Sequence, residues 1–156
     1  MVISAFPACG KSYFYSMFDD VLDSDSSLFS WIKEDGEKIR NPEFPQNYFE
    51  HIKQNYNNKN LDYIFVSSHK EIRDLMKENN IPYVLVYPSK KLKAEWIGRC
   101  YLRGSSPEFI ENLCKNWDKW VEECMYDNGA AFKIELKSGE YLSNYLTKGL
   151  IKRGVL

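Results

Sequence analysis

A chain of 156 residues with 44% apolar and 15% aromatic content is long enough to bury a core, which excludes intrinsic disorder as its ordinary state. A formal net charge of −1 gives no general drive toward DNA, RNA or an anionic membrane surface. No apolar run approaches a membrane span, and Met1 to Phe6 lacks the length and basic start of a secretory signal, so a single cytosolic domain over 1–156 is expected.

The four cysteines, Cys9, Cys100, Cys114 and Cys124, show no C-x-x-C pairing, and only His51 and His69 could join them; no structural zinc site is expected. Residues 1–5 read as a buried first strand and 11–19 as the first helix. Between them, Ala5-Phe6-Pro7-Ala8-Cys9-Gly10-Lys11-Ser12 matches the phosphate-binding pattern G-x-x-x-x-G-K-[ST] except that Ala5 stands for the first glycine. The residue types suit that chemistry for separate reasons. Gly10 permits the tight turn that aims successive N–H groups of Ala8, Cys9, Gly10, Lys11, Ser12 and Tyr13 into one concavity. Lys11 is a mobile point charge for β- and γ-phosphates, the Ser12 hydroxyl can ligate magnesium, and the helix adds its positive end. Cys9 is favoured as a thiolate by that helix start and by Lys11, although a small residue that fits the loop is the simpler reading.

This stretch resembles the P-loop, or Walker A motif, of the small-kinase superfamily that holds nucleoside monophosphate kinases, shikimate kinase and gluconate kinase. The resemblance implies strand order 2-3-1-4-5, ATP and Mg2+ as ligands, and transfer of the γ-phosphoryl group to a small acceptor.

Val21-Leu22 reads as a short second strand whose carboxyl end delivers Asp23 and Asp25, placed on one face by strand alternation. By themselves these residues fit either a metal ligand plus a substrate contact or a Ser/Asp helix cap. Asp23-Ser24-Asp25 is similar to the D-x-D motif of shikimate and gluconate kinases. That likeness implies magnesium binding by Ser12 and Asp23 and acceptor contact by Asp25; the gap from Lys11 is shorter than in that family.

Within 28–60, the segment that the resemblance implies covers the acceptor, Tyr48, Phe49, Ile52 and Tyr56 have helical spacing after Pro45. Arg40 in the preceding Pro-rich loop is either a bidentate grip for a substrate phosphate or a solvated side chain. Residues 61–68 read as a buried parallel strand that ends in Ser67-Ser68-His69, without the carboxylate many P-loop proteins place there. A helix over 69–79 turns Ile72, Leu75 and Met76 inward and offers Arg73 as an acceptor contact. His69 reads as a substrate contact or, preferably, as a helix start.

A fourth strand over 82–88 is followed by a basic segment, 88–106. Arg99 and Arg103 share one helix face there. That face is either solvated or, by the resemblance, a lid whose arginines close over the nucleotide and neutralise the transferring group. Helix 107–126 carries Trp117 and Trp120 on an apolar stripe, read as core. An edge-type strand over 131–136 is followed by a last helix with Tyr141, Leu142, Tyr145 and Leu146.

Strands alternating with helices imply a three-layer α/β sandwich with a mainly parallel five-stranded sheet, its ligand at the carboxyl edge. The expected activity is an ATP-dependent kinase of nucleotide metabolism acting on a nucleoside or deoxynucleoside monophosphate, with Lys11, Arg99 and Arg103 catalytic. Alternatives are a small-metabolite kinase of the shikimate or gluconate kind, and a nucleotide-binding module without turnover. Neither a nucleic-acid nor a membrane partner is expected; a polynucleotide 5′-end kinase would want a more basic surface.

Overall fold

The computed structural model describes residues 1–146. In chain order these form β1 (Val2–Ala5), α1 (Lys11–Met17), β2 (Val21–Asp23), α2 (Ser27–Ser30), β3 (Trp31–Glu34), β4 (Glu37–Arg40), α3 (Gln46–Tyr56), β5 (Tyr63–Ser67), α4 (Lys70–Glu78), β6 (Tyr83–Pro88), α5 (Lys93–Leu102), α6 (Pro107–Met125) and β7 (Phe132–Leu136). Single 3-10 turns lie at Lys90–Leu92 and Leu142–Asn144.

The sheet is sorted by hydrophobicity. β1 and β6 are buried throughout and β5 over its first four residues, which suits central parallel strands covered on both faces. β7 buries only Ile134 and Leu136 and leaves Phe132, Lys133 and Glu135 outward, the alternation of an edge. The order is β2-β5-β1-β6-β7, and every pairing is parallel. Right-handed crossovers place α1 on one face and α3, α4 and α6 on the other, an arrangement compatible with three layers. The buried aromatics Phe6, Phe14, Phe49, Trp96 and Trp117 belong to one core cluster.

Register decides where the site falls. Ala5, the last residue of β1, is level with Ser67 of β5 and with Val86 of β6. The loop leaving β1 therefore emerges at the carboxyl edge with a neighbour on each side, the position at which open parallel sheets bind ligands.

Elements with strong periodicity fall close to their expected bounds. α6 starts where Pro107 occupies the first turn and the Ser106 hydroxyl accepts the Phe109 N–H at 3.2 Å. Trp117 is buried in its stripe, and its indole N–H donates to Lys90 O at 2.8 Å.

Three expectations are corrected. Residues 31–40 form an antiparallel hairpin, β3–β4, so Arg40 ends a strand rather than lying in a loop. Asp35 and Gly36 take φ of 49° and 83° at its turn, as an Asp-Gly pair does in a two-residue hairpin loop. Asp25 is not on β2, which stops at Asp23; its Oδ1 instead accepts the Ser27 N–H at 2.8 Å in the turn that opens α2. The last helix expected with Tyr141, Leu142, Tyr145 and Leu146 is only a 3-10 turn at Leu142–Asn144, after which Tyr145 lies in a turn.

Candidate phosphate-binding site

The loop between β1 and α1 is built as a tight reversal. Ala8 and Gly10 have φ of 62° and 94°, the left-handed values that turn successive amides toward one concavity. Helical hydrogen bonding starts with Phe14 N–H to Gly10 O at 3.1 Å. The amides of Lys11, Ser12 and Tyr13 thus have no acceptor within the helix.

The loop is braced from beneath and from the side. Phe6 N–H donates to Val86 O at 2.9 Å, and the Trp96 indole N–H donates to Pro7 O at 2.8 Å. Leu142 N–H donates to Cys9 O at 2.9 Å, which brings the chain's later residues over the loop. Tyr141 then lies against Gly10: a Cβ there would come within 3.2 Å of Tyr141 Cδ1. Gly10→Ala combines this contact with a positive φ, and is expected to cost about 1–3 kcal/mol while weakening anion binding. Melting curves with and without ATP test both effects.

A cavity of about 370 Å³ opens above the loop. Gly10, Lys11, Ser12 and Tyr13 line one side of it, and Arg99, Arg103 and Tyr141 the other. The structure thus brings together residues 94 positions apart in sequence, shown by Cys9, whose thiol is acted on electrostatically by Lys11, Arg99 and Arg103. A cavity of about 460 Å³ lies elsewhere, at the ends of α4 and α6. Its lysines, Lys70 and Lys119, are balanced by Asp74, Glu122 and Glu123, and no residue of its lining has a positive φ, so the loop is the better candidate for a phosphate site.

Lys11 is half-buried, and among the described residues its ammonium makes no hydrogen bond or ion pair. Burial lowers its pKa, opposed first by Asp23 and then by Cys9 and Asp25. Asp23 answers in kind: burial raises its pKa, against the pull of Lys11. Lys11 and the carboxylates of the Asp23–Asp25 turn therefore share one electrostatic environment. Ser12 is exposed beside the cavity. Cys9 is the reverse. Its side chain is 1% exposed, and burial pushes the thiol up to about 12, so it packs beneath the loop as a neutral group and the thiolate reading is set aside.

The two α5 arginines differ. The Arg99 guanidinium sits between the rings of Trp96 and Tyr141, 4.0 Å from each centroid. It pairs with Glu95 at 2.5 Å and donates to Glu140 O at 2.9 Å. It holds the 140–141 segment over the loop while lending its charge to the cavity. Arg103 is exposed, donates through Nε to Ser105 Oγ at 2.8 Å, and lowers the Lys11 pKa. Its terminal nitrogens are the freer cationic group.

A second cluster lies at the end of β5. Arg40 stacks 4.3 Å from the Phe44 ring and comes within 3.7 Å of Glu71. The exposed His69 precedes α4, its Nδ1 lies 2.8 Å from Ser67 Oγ, and its ring meets Phe44 edge-on. Its pKa is lowered chiefly by desolvation; Glu71 opposes this, while Arg40, Lys11 and Arg73 add to it. The imidazole is therefore in electrostatic reach of both Arg40 and the loop lysine.

Arg73 is a correction. It is 1% exposed and pairs with Asp127, with Nε donating to Ser68 O at 3.1 Å and Nη1 to Glu123 O at 3.1 Å. It clamps α4 to the end of α6 and is not among the residues that line the loop cavity. Charge and position in the sequence suggested a ligand contact, whereas the apolar stripe of Ile72 and Met76 carries Arg73 into the same buried layer. Glu95, Glu140 and Tyr141, which set the geometry of the cavity, were missed because no local pattern links them to a loop some 85 or more residues away.

Among the described residues no helix is long and apolar enough to cross a membrane. Compared with protein-family models and with curated proteins, the chain matches none.

Proposed function

We propose that the protein is an ATP-dependent phosphotransferase whose acceptor is a nucleoside or deoxynucleoside monophosphate. The observation that carries this reading is Lys11: a cation without a protein partner among the described residues, at a tight backbone turn on the carboxyl edge of a parallel sheet, flanked by Arg103 and facing Asp23. Counted over the sheet alone, the strand order reads 2-3-1-4-5, the order that the kinase resemblance implies.

In this reading the backbone amides from Ala8 to Tyr13 and the Lys11 ammonium hold the β- and γ-phosphates. Ser12 Oγ and the Asp23 carboxylate are hard oxygen donors of the kind magnesium takes in small number, the rest of its shell being phosphate and water. When bound, the metal neutralises phosphate charge. Arg40, stacked on Phe44, receives the acceptor's own phosphate, with Asp25 and His69 beside it. An acceptor phosphate oxygen forms the new bond to the γ-phosphorus as the bond to the β–γ bridging oxygen breaks, leaving ADP. Arg103 closes on the equatorial oxygens, and Arg99 supplies fixed positive charge behind it. Such catalysis is positioning and electrostatics, and needs no nucleophilic side chain.

The test is ADP formation from magnesium-ATP with a panel of ribo- and deoxynucleoside monophosphates, shikimate and gluconate. Acceptor-dependent ADP release with a monophosphate is the expected result. Stabilisation by ATP with no turnover on any acceptor would favour the binding module, since a ligand bound only to the native state raises stability without reacting.

A further inference from the structure

The Tyr48 hydroxyl ties together the two strand ends that face Lys11. Tyr48 is fully buried on α3, donates to Ser24 O at 2.8 Å and accepts from Ser67 N–H at 3.1 Å. Ser24 lies between Asp23 and Asp25; Ser67 carries the hydroxyl that meets His69. The β2–β5 ladder ends just before this point. Its last residue pair is Asp23 with Phe65, followed by one bond from Ser24 N–H to Phe65 O at 2.9 Å. Beyond it, among the described residues, no backbone hydrogen bond joins the two segments directly. Among the described residues the buried Ser24 hydroxyl has no partner, so the main chain fixes this residue.

We propose that Tyr48 is a positioning residue for phosphoryl transfer: its hydroxyl sets the Asp23–Asp25 turn against the Ser67–His69 turn. The inference rests on the phosphotransferase reading and adds a residue that touches neither substrate. A phenol suits the task because it donates and accepts at once. Burial pushes it up to about 12, so it keeps its proton at working pH. The ring has its own support, with Phe29 at 5.2 Å and Phe44 at 6.1 Å between centroids, so Tyr48→Phe removes the tie and spares the packing.

The experiment compares wild type, Tyr48→Phe and a control, Tyr63→Phe, at the far end of β5. Amide hydrogen exchange is read at residues 24–27 and at Ser67, alongside steady-state kinetics. In wild type the Ser67 amide should exchange as slowly as its neighbours in β5; fast exchange there already contradicts the tie. In Tyr48→Phe, exchange at both segments should accelerate. There kcat should fall by about ten- to a hundred-fold with KM for ATP unchanged, the loss expected from carboxylates displaced by a fraction of an ångström to an ångström. Tyr63→Phe should show neither change. Unaltered exchange in an active Tyr48→Phe enzyme, or accelerated exchange with unaltered kcat, overturns this inference alone. Wild-type inactivity on every acceptor overturns the phosphotransferase reading and this catalytic role with it.

Discussion

Lys11→Ala is expected to lower turnover about a hundred- to a thousand-fold while leaving the fold intact. The size follows from the proposed role of the side chain, a charge placed where the transferring group becomes most anionic; removing one such preorganised donor typically costs two to three orders of magnitude. The intact fold follows from the local structure. The Lys11 ammonium has no hydrogen bond or ion pair among the described residues, and burial already disfavours its charged form. Urea unfolding should therefore give the variant a stability equal to or slightly above that of wild type. Its stabilisation by ATP should be lost. A Lys11→Ala enzyme with wild-type kcat would remove the loop from the chemistry.

Asp127→Asn is expected to be the most destabilising of the substitutions considered, by about 3–5 kcal/mol, because it leaves the buried Arg73 charge uncompensated. The two side chains are 1% and 6% exposed, so solvent screens the pair little. Asp127 also organises the turn between α6 and β7. Its Oδ1 accepts N–H bonds from Gly129 at 3.0 Å and Ala130 at 2.8 Å, and Tyr83 donates to it at 2.9 Å. Asparagine can keep those bonds, which isolates the charge. Burial alone would raise the Asp127 pKa; the Ala130 N–H, Arg73 and Tyr83 outweigh it and hold the carboxyl below its ordinary value. A depressed folded-state pKa means that the linked stability is present above about pH 4, the unfolded value, and is lost as pH falls through the folded value. The gap between wild type and Asp127→Asn should thus be full at pH 7 and shrink under acid. Urea titrations at a series of pH values measure it, and a gap unchanged into strong acid would contradict the pairing.

Legibility in the sequence divided along physical lines. Strands with continuous apolar runs, such as Tyr63–Ser67 and Tyr83–Pro88, and the long amphipathic helix Pro107–Met125, announce themselves because burial selects the residue type position by position. The turn from Ala8 to Ser12 was readable because its backbone demands a residue such as Gly10. The β3–β4 hairpin carried a legible signal in Asp35-Gly36 that the reading passed over. Arg73 could not be placed from sequence, since an arginine on a helix serves a ligand or a buried carboxylate equally well until Asp127 is brought to it. The same holds for Tyr48, whose partners are main-chain atoms, and for Tyr141, which reaches Gly10 across 131 positions. Side chains whose roles depend on long-range partners leave no periodicity to read.

The central claim is that the loop positions ATP for transfer to a second, phosphate-bearing molecule. The most direct measurement follows a labelled γ-phosphoryl group from magnesium-ATP in the presence of nucleoside and deoxynucleoside monophosphates. The account predicts label in the nucleoside diphosphate product, in step with ADP release and absent in Lys11→Ala. Label that remains in ATP, or appears only as inorganic phosphate at a rate no acceptor changes, would contradict it.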